Sequence, residues 1–558
     1  MGDDFNIHPV PASQLGDRKR PQKEILLRVV CIISLVIFMA KAVTSMVQKS
    51  ATWDETHYFG LGKYLILNQR WDVPGSILHP PLAYYVNGVP LLFFDTEDHA
   101  WQNNPARTKD ISYLHSHDVR RGRLLLSSPA NRDDRLLILS RLMSVLAAVW
   151  MGWHVYLWSK AIHGKWGAVC AMVLFSFSPK ILADARLITP DICLTTFVFI
   201  TVYYLWRFLG EGKMRDALLG GLNLGLALLS KYTALLLPPI CVVLMILWRV
   251  KRRTLNLRGC ILFLAVGAGV LLAGYGLDLW PYHAGLWYQW NHARTGQNGF
   301  LMGECSTQGW WYFYVVAFLI KTPITTLILL AISLAVFLAR TAKGDWINQA
   351  FLLVPAAVFF GFFSVYHSLA IGLRYILPIY PFLFVFAGEA VSFLLLKKSL
   401  TAILLALMSW YVVTSSWIHP HYLAYFNELV GGPANGHKYL VDSNLDWGQD
   451  LKGLRKFMDQ HKIQRISFSY FGEDSPKRYG ITYDWLPSFD LANPTPGQRT
   501  VRLRRWVAIS ATNLRGVYFT NHNVFAPFRR LKPYANVGYS ILIYKLNDAA
   551  PKDGRKPR

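Results

Sequence analysis

Cysteine, acidic side chains and internal repeats are scarce in this 558-residue sequence. All six cysteines except Cys305 lie inside apolar runs and none shows CxxC spacing, which argues against a zinc site and against a disulfide framework. Only 33 Asp and Glu stand against 58 Lys and Arg, giving a formal net charge of +25. Because the basic residues form small clusters between apolar segments, this charge indicates membrane topology and anionic head groups, and no nucleic acid partner.

Apolar residues are abundant instead. The chain is 53% hydrophobic and 14% aromatic, with a mean hydropathy of +0.25, which is typical of a polytopic membrane protein. A span needs about 20 apolar residues, so we predict an α-helical fold with about 11–13 transmembrane helices. The run 311–340 contains Pro323 and predicts either one long helix or a broken pair. The candidate helices cover 25–47, 134–157, 166–183, 188–208, 216–230, 232–249, 259–280, 311–340, 348–364, 373–394 and 400–418.

The distribution of basic residues predicts the orientation of these helices. Four Lys and Arg between residues 18 and 23 precede the first apolar run, which lacks a small-residue cleavage site. We therefore expect a retained first helix and a cytoplasmic N-terminus. The other basic clusters then fall in cytoplasmic loops, because Lys and Arg are retained on that side. The loops 48–133 and 281–310 and the tail from His419 lie on the opposite face, which is the periplasmic side of a bacterial inner membrane.

Three domains follow from this topology: a cytoplasmic tail 1–24, a transmembrane domain 25–420, and a non-cytoplasmic soluble domain 421–558. The soluble domain has the alternation and turn residues of a small α/β unit. Its predicted elements are strands at 465–471, 506–510 and 539–544, a helix at 451–461 and a loop at 493–497.

The loop 48–133 is too long for a simple connection. Its stretches 58–67 and 82–94 are amphipathic and predict interfacial helices. The polar part 95–134 has no apolar period, and it is either a flexible, lid-like region or an insertion without function.

Asp54 and Glu55 follow the first predicted helix directly. One reading is that they cap an interfacial helix, since acidic residues favour helix N-termini. The other is general base catalysis, in which a carboxylate takes a proton from an acceptor hydroxyl. Adjacent helical residues point about 100° apart, so only one of the two faces the acceptor and the other orients it or adjusts its pKa.

Several cations lie near the predicted non-cytoplasmic ends of the helices. A phosphate leaving group requires positive charge, which fixed Arg and Lys side chains supply. Snorkelling to the interface is the alternative for the lysines, and a simple turn is the alternative for His79, which precedes two prolines. The candidates for donor-phosphate binding are Arg374, Lys231, Lys321, Arg186 and His79.

The tail segment 442–450 places oxygen-bearing side chains at alternate positions, as the first half of a calcium loop does. It has Trp447 where the calcium loop has Gly, and Gly453 where it has Glu. A turn followed by a helix capped by Asp450 fits better. No clustered His, Asp and Glu set is visible, so the sequence predicts no cofactor, and a divalent metal held by separate loops stays open.

Taken in order, short motifs along residues 25–420 resemble the GT-C superfamily of membrane glycosyltransferases. Within it, the chain is similar to the protein O-mannosyltransferase family and to the lipid A aminoarabinose transferases. The motifs are W-D-E at 53–55, P-P-L at 80–82, L-I-T-P-D at 187–191, G-L-N-L-G-L-A-L-L-S-K-Y at 221–232, F-L-M-G-E at 300–304, G-W-W-Y at 309–312, K-T-P at 321–323 and R-Y-I-L-P at 374–378.

The resemblance implies an inverting transferase that takes a sugar from a polyprenyl or dolichyl phosphate on the non-cytoplasmic face and passes it to a hydroxyl of a protein, lipid or glycan. Asp54 would match the catalytic carboxylate, Glu55 its acidic neighbour, and Arg374 and Lys231 the donor-phosphate contacts. His79 departs from the lysine of the aminoarabinose transferases. The alternatives are a lipid-linked sugar flippase or secondary transporter, with charges near the midplane, and a non-catalytic membrane assembly subunit.

Overall fold

The computed structural model describes residues 19–69, 71, 78–96, 120–341, 346–366, 369–489 and 503–546. Helices dominate the part before the tail. They are α1 (Lys19–Val47), α2 (Glu55–Tyr58), α3 (Leu61–Asn68), α4 (Leu82–Gly88), α5 (Arg135–Ser176), α6 (Pro179–Ala185), α7 (Pro190–Glu211), α8 (Met214–Leu228), α9 (Leu237–Arg252), α10 (Leu257–Gly274), α11 (Trp280–Thr295), α12 (Phe313–Lys321), α13 (Ile324–Thr341), α14 (Ile347–Val365), α15 (Ile379–Phe386), α16 (Gly388–Leu394) and α17 (Lys398–Trp417). A two-stranded hairpin, β1 (Gly299–Leu301) and β2 (Glu304–Ser306), precedes α12.

The polytopic membrane fold is confirmed. In the described part, seven helices are long and apolar enough to cross a membrane, and the bent pair α12–α13 makes an eighth if it counts as one span. The chain bends by 112° between these two helices, beside Pro323, because proline cannot continue the helical hydrogen bonds. The seven lie at Ile25–Val47, Pro129–Ser176, Pro190–Glu211, Tyr232–Arg252, Leu257–Gly274, Ile347–Val365 and Lys398–Trp417.

Each of the eleven predicted runs is largely helical, and three of them account for the smaller number of spans. The run 216–230 is the 15-residue helix α8. The run 373–394 is divided into a 3-10 helix, Leu373–Ile376, and the short helices α15 and α16. The run 166–183 includes the second part of α5, which is separated from the first at Gly164 by a left-handed φ of 70° that glycine adopts without strain.

Glycines allow α8 to pack closely against α10. A Cβ atom built on Gly225 would lie 2.4 Å from the Cβ atom of Val270, and one on Gly221 would lie 2.5 Å from the carbonyl oxygen of Phe263. Only glycine fits such an approach, because both contacts are far below van der Waals distance. This packing fixes the end of α8, where the chain turns into Lys231.

The first loop contains helices where two interfacial helices were predicted: α3 and α4, the latter followed by the 3-10 helix Val89–Phe93. Of the predicted lid-like region, residues 97–119 lie outside the described residues. Residues 120–126 are helical and Pro129–Asp134 is a 3-10 helix.

The small C-terminal α/β region is also confirmed. Its helices are α18 (Leu451–Gln460), α19 (Ala511–Arg515) and α20 (Ala526–Arg529), and its strands are β3 (Ile466–Ser469), β4 (Tyr483–Trp485), β5 (Trp506–Ser510), β6 (Ala535–Val537) and β7 (Ile541–Lys545). The sheet order is β4-β3-β5-β7-β6, with β3 parallel to β4 and β5, and β7 antiparallel to β5 and β6. The predicted loop 493–497 lies outside the described residues.

Alternating side chains of this sheet belong to two hydrophobic cores. Ile541 and Ile543 of β7 pack in one core with α18, whereas Leu542 and Tyr544 belong to the large core formed by the membrane helices. The period of two residues in a strand places these pairs on opposite faces. One face of the tail sheet therefore packs against the helical domain.

Candidate active site

Asp54 occupies the N-cap position of α2, but its side chain makes no capping hydrogen bond. Its Oδ2 instead accepts a hydrogen bond from Arg374 Nη1 at 2.5 Å. Oδ1 has no hydrogen-bond partner among the described residues. The side chain is 17% exposed, so this carboxylate combines one fixed ionic contact with access to a ligand.

Glu55 is completely buried and pairs with a different arginine from Asp54. Arg141 on α5 donates to both of its oxygens, at 2.8 and 2.6 Å, and the backbone N–H groups of Thr52 and Ile188 donate at 2.8 and 3.0 Å. Burial alone would raise the pKa of this carboxyl, but Arg141 and the N–H donors hold it below its ordinary value. Glu55 therefore anchors the loop, and its oxygens are occupied by protein donors.

Arg374 stands on the 3-10 helix Leu373–Ile376, opposite Asp54. Its guanidinium lies 4.4 Å from the centre of the Trp447 ring, a cation–π contact from the tail. Its Nε is buried without a hydrogen-bond partner in the described part of the chain. An arginine held on two sides, with one donor still free, is suited to bind an anion.

Lys231 follows α8 and forms an ion pair with Asp191, Nζ to Oδ1 at 2.7 Å. Asp191 Oδ2 lies 4.0 Å from Arg374 Nη1, which connects the two ion pairs. Asp54, Arg374, Asp191 and Lys231 thus form a continuous chain of alternating charge, called here the charge chain. Asp191 was quoted only within a motif and was missed as a site residue, since Thr-Pro-Asp at a helix start is explained equally well by local helix signals.

His79 lies beside the charge chain. Burial lowers the pKa of its imidazole to about 3, and the positive charges of Lys231 and Arg374 act in the same direction, whereas Asp191 raises it. The ring is therefore neutral at physiological pH. Its ring centre is 5.8 Å from that of Tyr58. Its Nδ1 is buried without a hydrogen-bond partner among the residues described.

Two predicted cations are not part of the charge chain. Lys321 donates from Nζ to the backbone oxygens of Leu423, at 2.9 Å, and Asn444. Arg186 is fully buried, and none of its side-chain nitrogens has a hydrogen-bond partner within the described ranges. Burial, and secondarily Arg141, lowers the pKa of its guanidinium to about 10, against a raising effect of Asp450.

The tail supplies an aromatic wall beside Asp54. Trp53 stacks on Phe471 and Phe489, with ring centres 4.8 and 5.6 Å apart, and Tyr518 stacks on both phenylalanines. These residues were missed by sequence reasoning, because nothing local connects Trp53 to rings more than 400 positions away. The wall fixes the side chain that immediately precedes Asp54.

The prediction that Asp450 caps the following helix is wrong. Asp450 is at the N-cap position of α18 but makes no capping hydrogen bond. Its Oδ1 pairs with Lys49 Nζ at 2.5 Å and its Oδ2 accepts from Ser540 Oγ at 2.7 Å. A buried lysine requires a counter-charge more than the helix end requires a cap, so the carboxylate turns toward Lys49.

Among the described residues, no group of three or more His, Cys, Asp or Glu side chains has a metal-binding arrangement. Asp54 and Asp191 are the two carboxylates next to the cations of the charge chain, and the structure pairs each of them with a basic side chain. The chemistry that these residues can perform by themselves is proton acceptance and anion binding.

Comparison with known proteins gives a family match. Residues 138–274 match the family model described as dolichyl-phosphate-mannose-protein mannosyltransferase. Comparison with curated protein sequences gives no significant match. The matched segment lies within the helical membrane region and agrees with the resemblance to the protein O-mannosyltransferase family that the motifs predicted.

Comparison with solved structures gives distant matches. ArnT from Cupriavidus metallidurans bound to undecaprenyl phosphate is similar at 12% identity and a TM-score of 0.46, over 96% of this chain and 100% of that chain. AglB from Archaeoglobus fulgidus, in complex with an inhibitory peptide and a dolichol-phosphate, gives 13% and 0.46 over 79% and 60%. The Pmt1-Pmt2 complex of S. cerevisiae, bound to the sugar donor, gives 17% and 0.33 over 48% and 34%. Likenesses this distant assign neither donor nor acceptor.

Proposed function

We propose that this protein is an inverting glycosyltransferase that moves a sugar from a polyprenyl or dolichyl phosphate to a hydroxyl-bearing protein, lipid or glycan. The observation that carries the proposal is the charge chain with its unused polar atoms. Arg374 Nε, Asp191 Oδ2 and His79 Nδ1 are all buried beside it without hydrogen-bond partners in the described part. Buried polar atoms are rarely left unpaired in proteins, so their convergence supports a polar ligand at this point.

Asp54 acts as the general base. Its carboxylate takes the proton from the acceptor hydroxyl while the hydroxyl oxygen forms a bond to the anomeric carbon. The bond between that carbon and the phosphate oxygen breaks on the opposite face, and its electron pair leaves with the lipid phosphate. Attack opposite the leaving group inverts the anomeric configuration.

The charges of the site suit this reaction. Two carboxylates and two cations balance in the charge chain, and His79 adds no charge. The donor phosphodiester carries one negative charge and the departing lipid phosphate gains another, at the moment when protonation neutralises Asp54. Arg374 is then released from its carboxylate partner and becomes available to the phosphate, which is where charge develops.

The remaining predicted site residues support this centre. Lys231 and His79 face the donor together with Arg374. Glu55 keeps the Asp54 loop in place through Arg141, and Lys321 supports the tail through the Asn444 carbonyl. Arg186 lies with Lys49 and Asp450 rather than with the phosphate site.

We further propose that the charge chain and residues 421–558 lie on the non-cytoplasmic side, in a bacterium the periplasmic side of the inner membrane. The distribution of Lys and Arg supports this orientation. A lipid phosphate reaches a carboxylate at the membrane surface from the bilayer itself, which agrees with the position of Asp54 directly after the span Ile25–Val47.

The test uses the full-length protein in liposomes with polyprenyl phosphates that carry different radiolabelled sugars, and solubilised membrane proteins and lipids as acceptors. We expect release of polyprenyl phosphate and transfer of label with one of the sugars. Asp54→Asn should lower the transfer rate by on the order of 10²–10⁴-fold and leave binding of the donor measurable.

The matched control is Asp133→Asn, which changes an exposed aspartate of the first loop and should transfer sugar at the wild-type rate. Transfer by Asp54→Asn at the wild-type rate would remove Asp54 as the base. Movement of intact donor across the membrane without any transfer of label would support the flippase instead.

A further inference from the structure

We propose that the tail segment 441–450, called here the tail strap, positions Asp54 and Arg374 against each other, so that the tail forms part of the catalytic centre. This inference rests on the proposed function for its catalytic consequence. Its structural basis is a set of hydrogen bonds from one short segment to both sides of the Asp54–Arg374 ion pair.

The arginine side is held by Asn444, which is almost completely buried. Its Oδ1 accepts the backbone N–H of Leu373 at 2.9 Å, and its Nδ2 donates to the carbonyl of Ile371 at 2.8 Å. An asparagine that accepts and donates in this way fixes the peptide backbone in two directions. Arg374 follows Leu373 directly in the chain, so the position of its Cα atom depends on these two bonds.

The aspartate side is held by backbone groups of the same segment. The N–H of Trp53 donates to the carbonyl of Trp447 at 2.8 Å. Ser50 adds two bonds, from its N–H to the carbonyl of Gln449 and from its Oγ to the carbonyl of Gly448, each 3.0 Å. The residues just before Asp54 and just before Arg374 are therefore both bonded to the tail strap, through Trp447 and Asn444.

The side chain of Trp447 also contacts Arg374 directly. Its indole ring is nearly fully buried and lies 4.4 Å from the Arg374 guanidinium. This contact restricts the guanidinium to the side of the ring from which it meets Asp54. The backbone carbonyl of Trp447 thus holds the residue before Asp54, while its indole ring contacts Arg374.

The tail strap is itself rigid, because three aspartates at intervals of four residues anchor it. Asp442 accepts from the Tyr518 hydroxyl and has a left-handed φ of 56°. Asp446 accepts from the N–H of Thr512 at 2.9 Å, and Asp450 pairs with Lys49. The spacing that looked like half of a calcium loop is therefore explained by three separate anchors, two of them within the tail and one on the membrane domain.

A shift of Asp54 relative to Arg374 should lower the rate of sugar transfer more than the affinity for the donor. A shift of about 1 Å between reacting groups can cost on the order of 100-fold in rate, whereas the donor still meets Lys231 and the membrane. We therefore expect Asn444→Leu and Trp447→Leu to lower kcat by on the order of 10–100-fold with the KM for the donor within about threefold. Trp447→Phe, which keeps a ring under the guanidinium, should recover most of the rate.

A second measurement reports the position of the loop without any transfer reaction. In an Asp54→Cys background, the rate at which a maleimide labels the new thiol should rise by about tenfold when Asn444→Leu is added, since local opening governs such rates. Asn536→Leu, on an exposed position of β6, is the matched control and should change neither labelling nor kcat.

Unchanged kcat in both Asn444→Leu and Trp447→Leu, or unchanged labelling when Asn444→Leu is added to Asp54→Cys, would overturn the proposal. If the wild-type protein transfers no sugar but labelling rises in Asn444→Leu, the proposed function fails while the structural role of the tail strap stands. If the wild type transfers sugar and the two strap variants behave like Asn536→Leu, only the strap proposal fails.

Discussion

Glu55→Gln should destabilise the protein strongly, although the same change at the neighbouring Asp54 should barely affect stability. Glu55 is completely buried and receives five hydrogen bonds from Arg141, Thr52 and Ile188 at 2.6 to 3.0 Å. Glutamine keeps the shape of the side chain but turns an amide toward N–H donors. It also leaves the Arg141 guanidinium buried without its counter-charge.

The structure sets the size of this effect. Removing one partner of a buried ion pair costs about 3–5 kcal/mol. Arg141 keeps three carbonyl acceptors, those of Met46, Lys49 and Ser50 at 2.8 to 3.1 Å, so we expect the lower end, about 3 kcal/mol. The Asp54–Arg374 pair is partly exposed, and its loss should cost about 1 kcal/mol or less.

Thermal unfolding of the detergent-solubilised protein measures both changes. We expect Glu55→Gln to lower Tm by on the order of 5 °C and Asp54→Asn to change it little. The double variant Glu55→Leu with Arg141→Met should recover much of the loss, because replacing both charges removes the unpaired cation. A Tm for Glu55→Gln within about 1 °C of the wild type would refute the assignment of Glu55 as a buried anchor.

Three further changes test the surroundings. Lys231→Met should raise the KM for the donor by about tenfold, since a charge-assisted contact to phosphate contributes about 1.5–3 kcal/mol. Because the pKa of His79 is lowered to about 3, His79→Ala should leave the pH dependence of donor binding unchanged between pH 5 and 8, as measured by titration with the labelled donor. Burial raises the pKa of Asp446 to about 8 from about 3.9 in the unfolded chain. The stability it contributes is therefore lost as pH rises toward 8, and Asp446→Asn should reduce the fall in Tm between pH 6 and 9.

The membrane fold was largely predictable because its signals are local. Apolar runs of span length, Pro323 at the bend of α12–α13, and Gly164 in the gap between two predicted helices can each be read within about 20 residues. Three of the five tail strands were predictable for the same reason, since Trp506–Ser510 has the composition and length of a buried strand. The three-residue strands β4 and β6 were not predicted, because they are too short to show a pattern. The number of complete spans was not predictable, because the length of an apolar run does not show the break between α15 and α16.

The site was predictable only in part, because its contacts join distant parts of the chain. Topology placed Asp54, Lys231 and Arg374 on one face, and the structure brings them together. The predicted topology could not show that Lys321 turns to the carbonyl of Asn444, or that Asp191 links the two ion pairs. The contacts of Trp447 and Asn444 cross 70 or more positions and leave no local periodicity.

Local geometry separates two adjacent carboxylates into different roles. Both oxygens of Glu55 are occupied by protein donors, so a ligand could reach this group only by disrupting the loop. Asp54 uses one oxygen for Arg374 and leaves the other available. Arg374 Nε, Asp191 Oδ2 and His79 Nδ1 are buried nearby without hydrogen-bond partners among the described residues. A motif of two acidic residues therefore contains one structural and one available carboxylate. This difference in hydrogen bonding, rather than residue type, identifies Asp54 as the group that can accept a proton from a substrate.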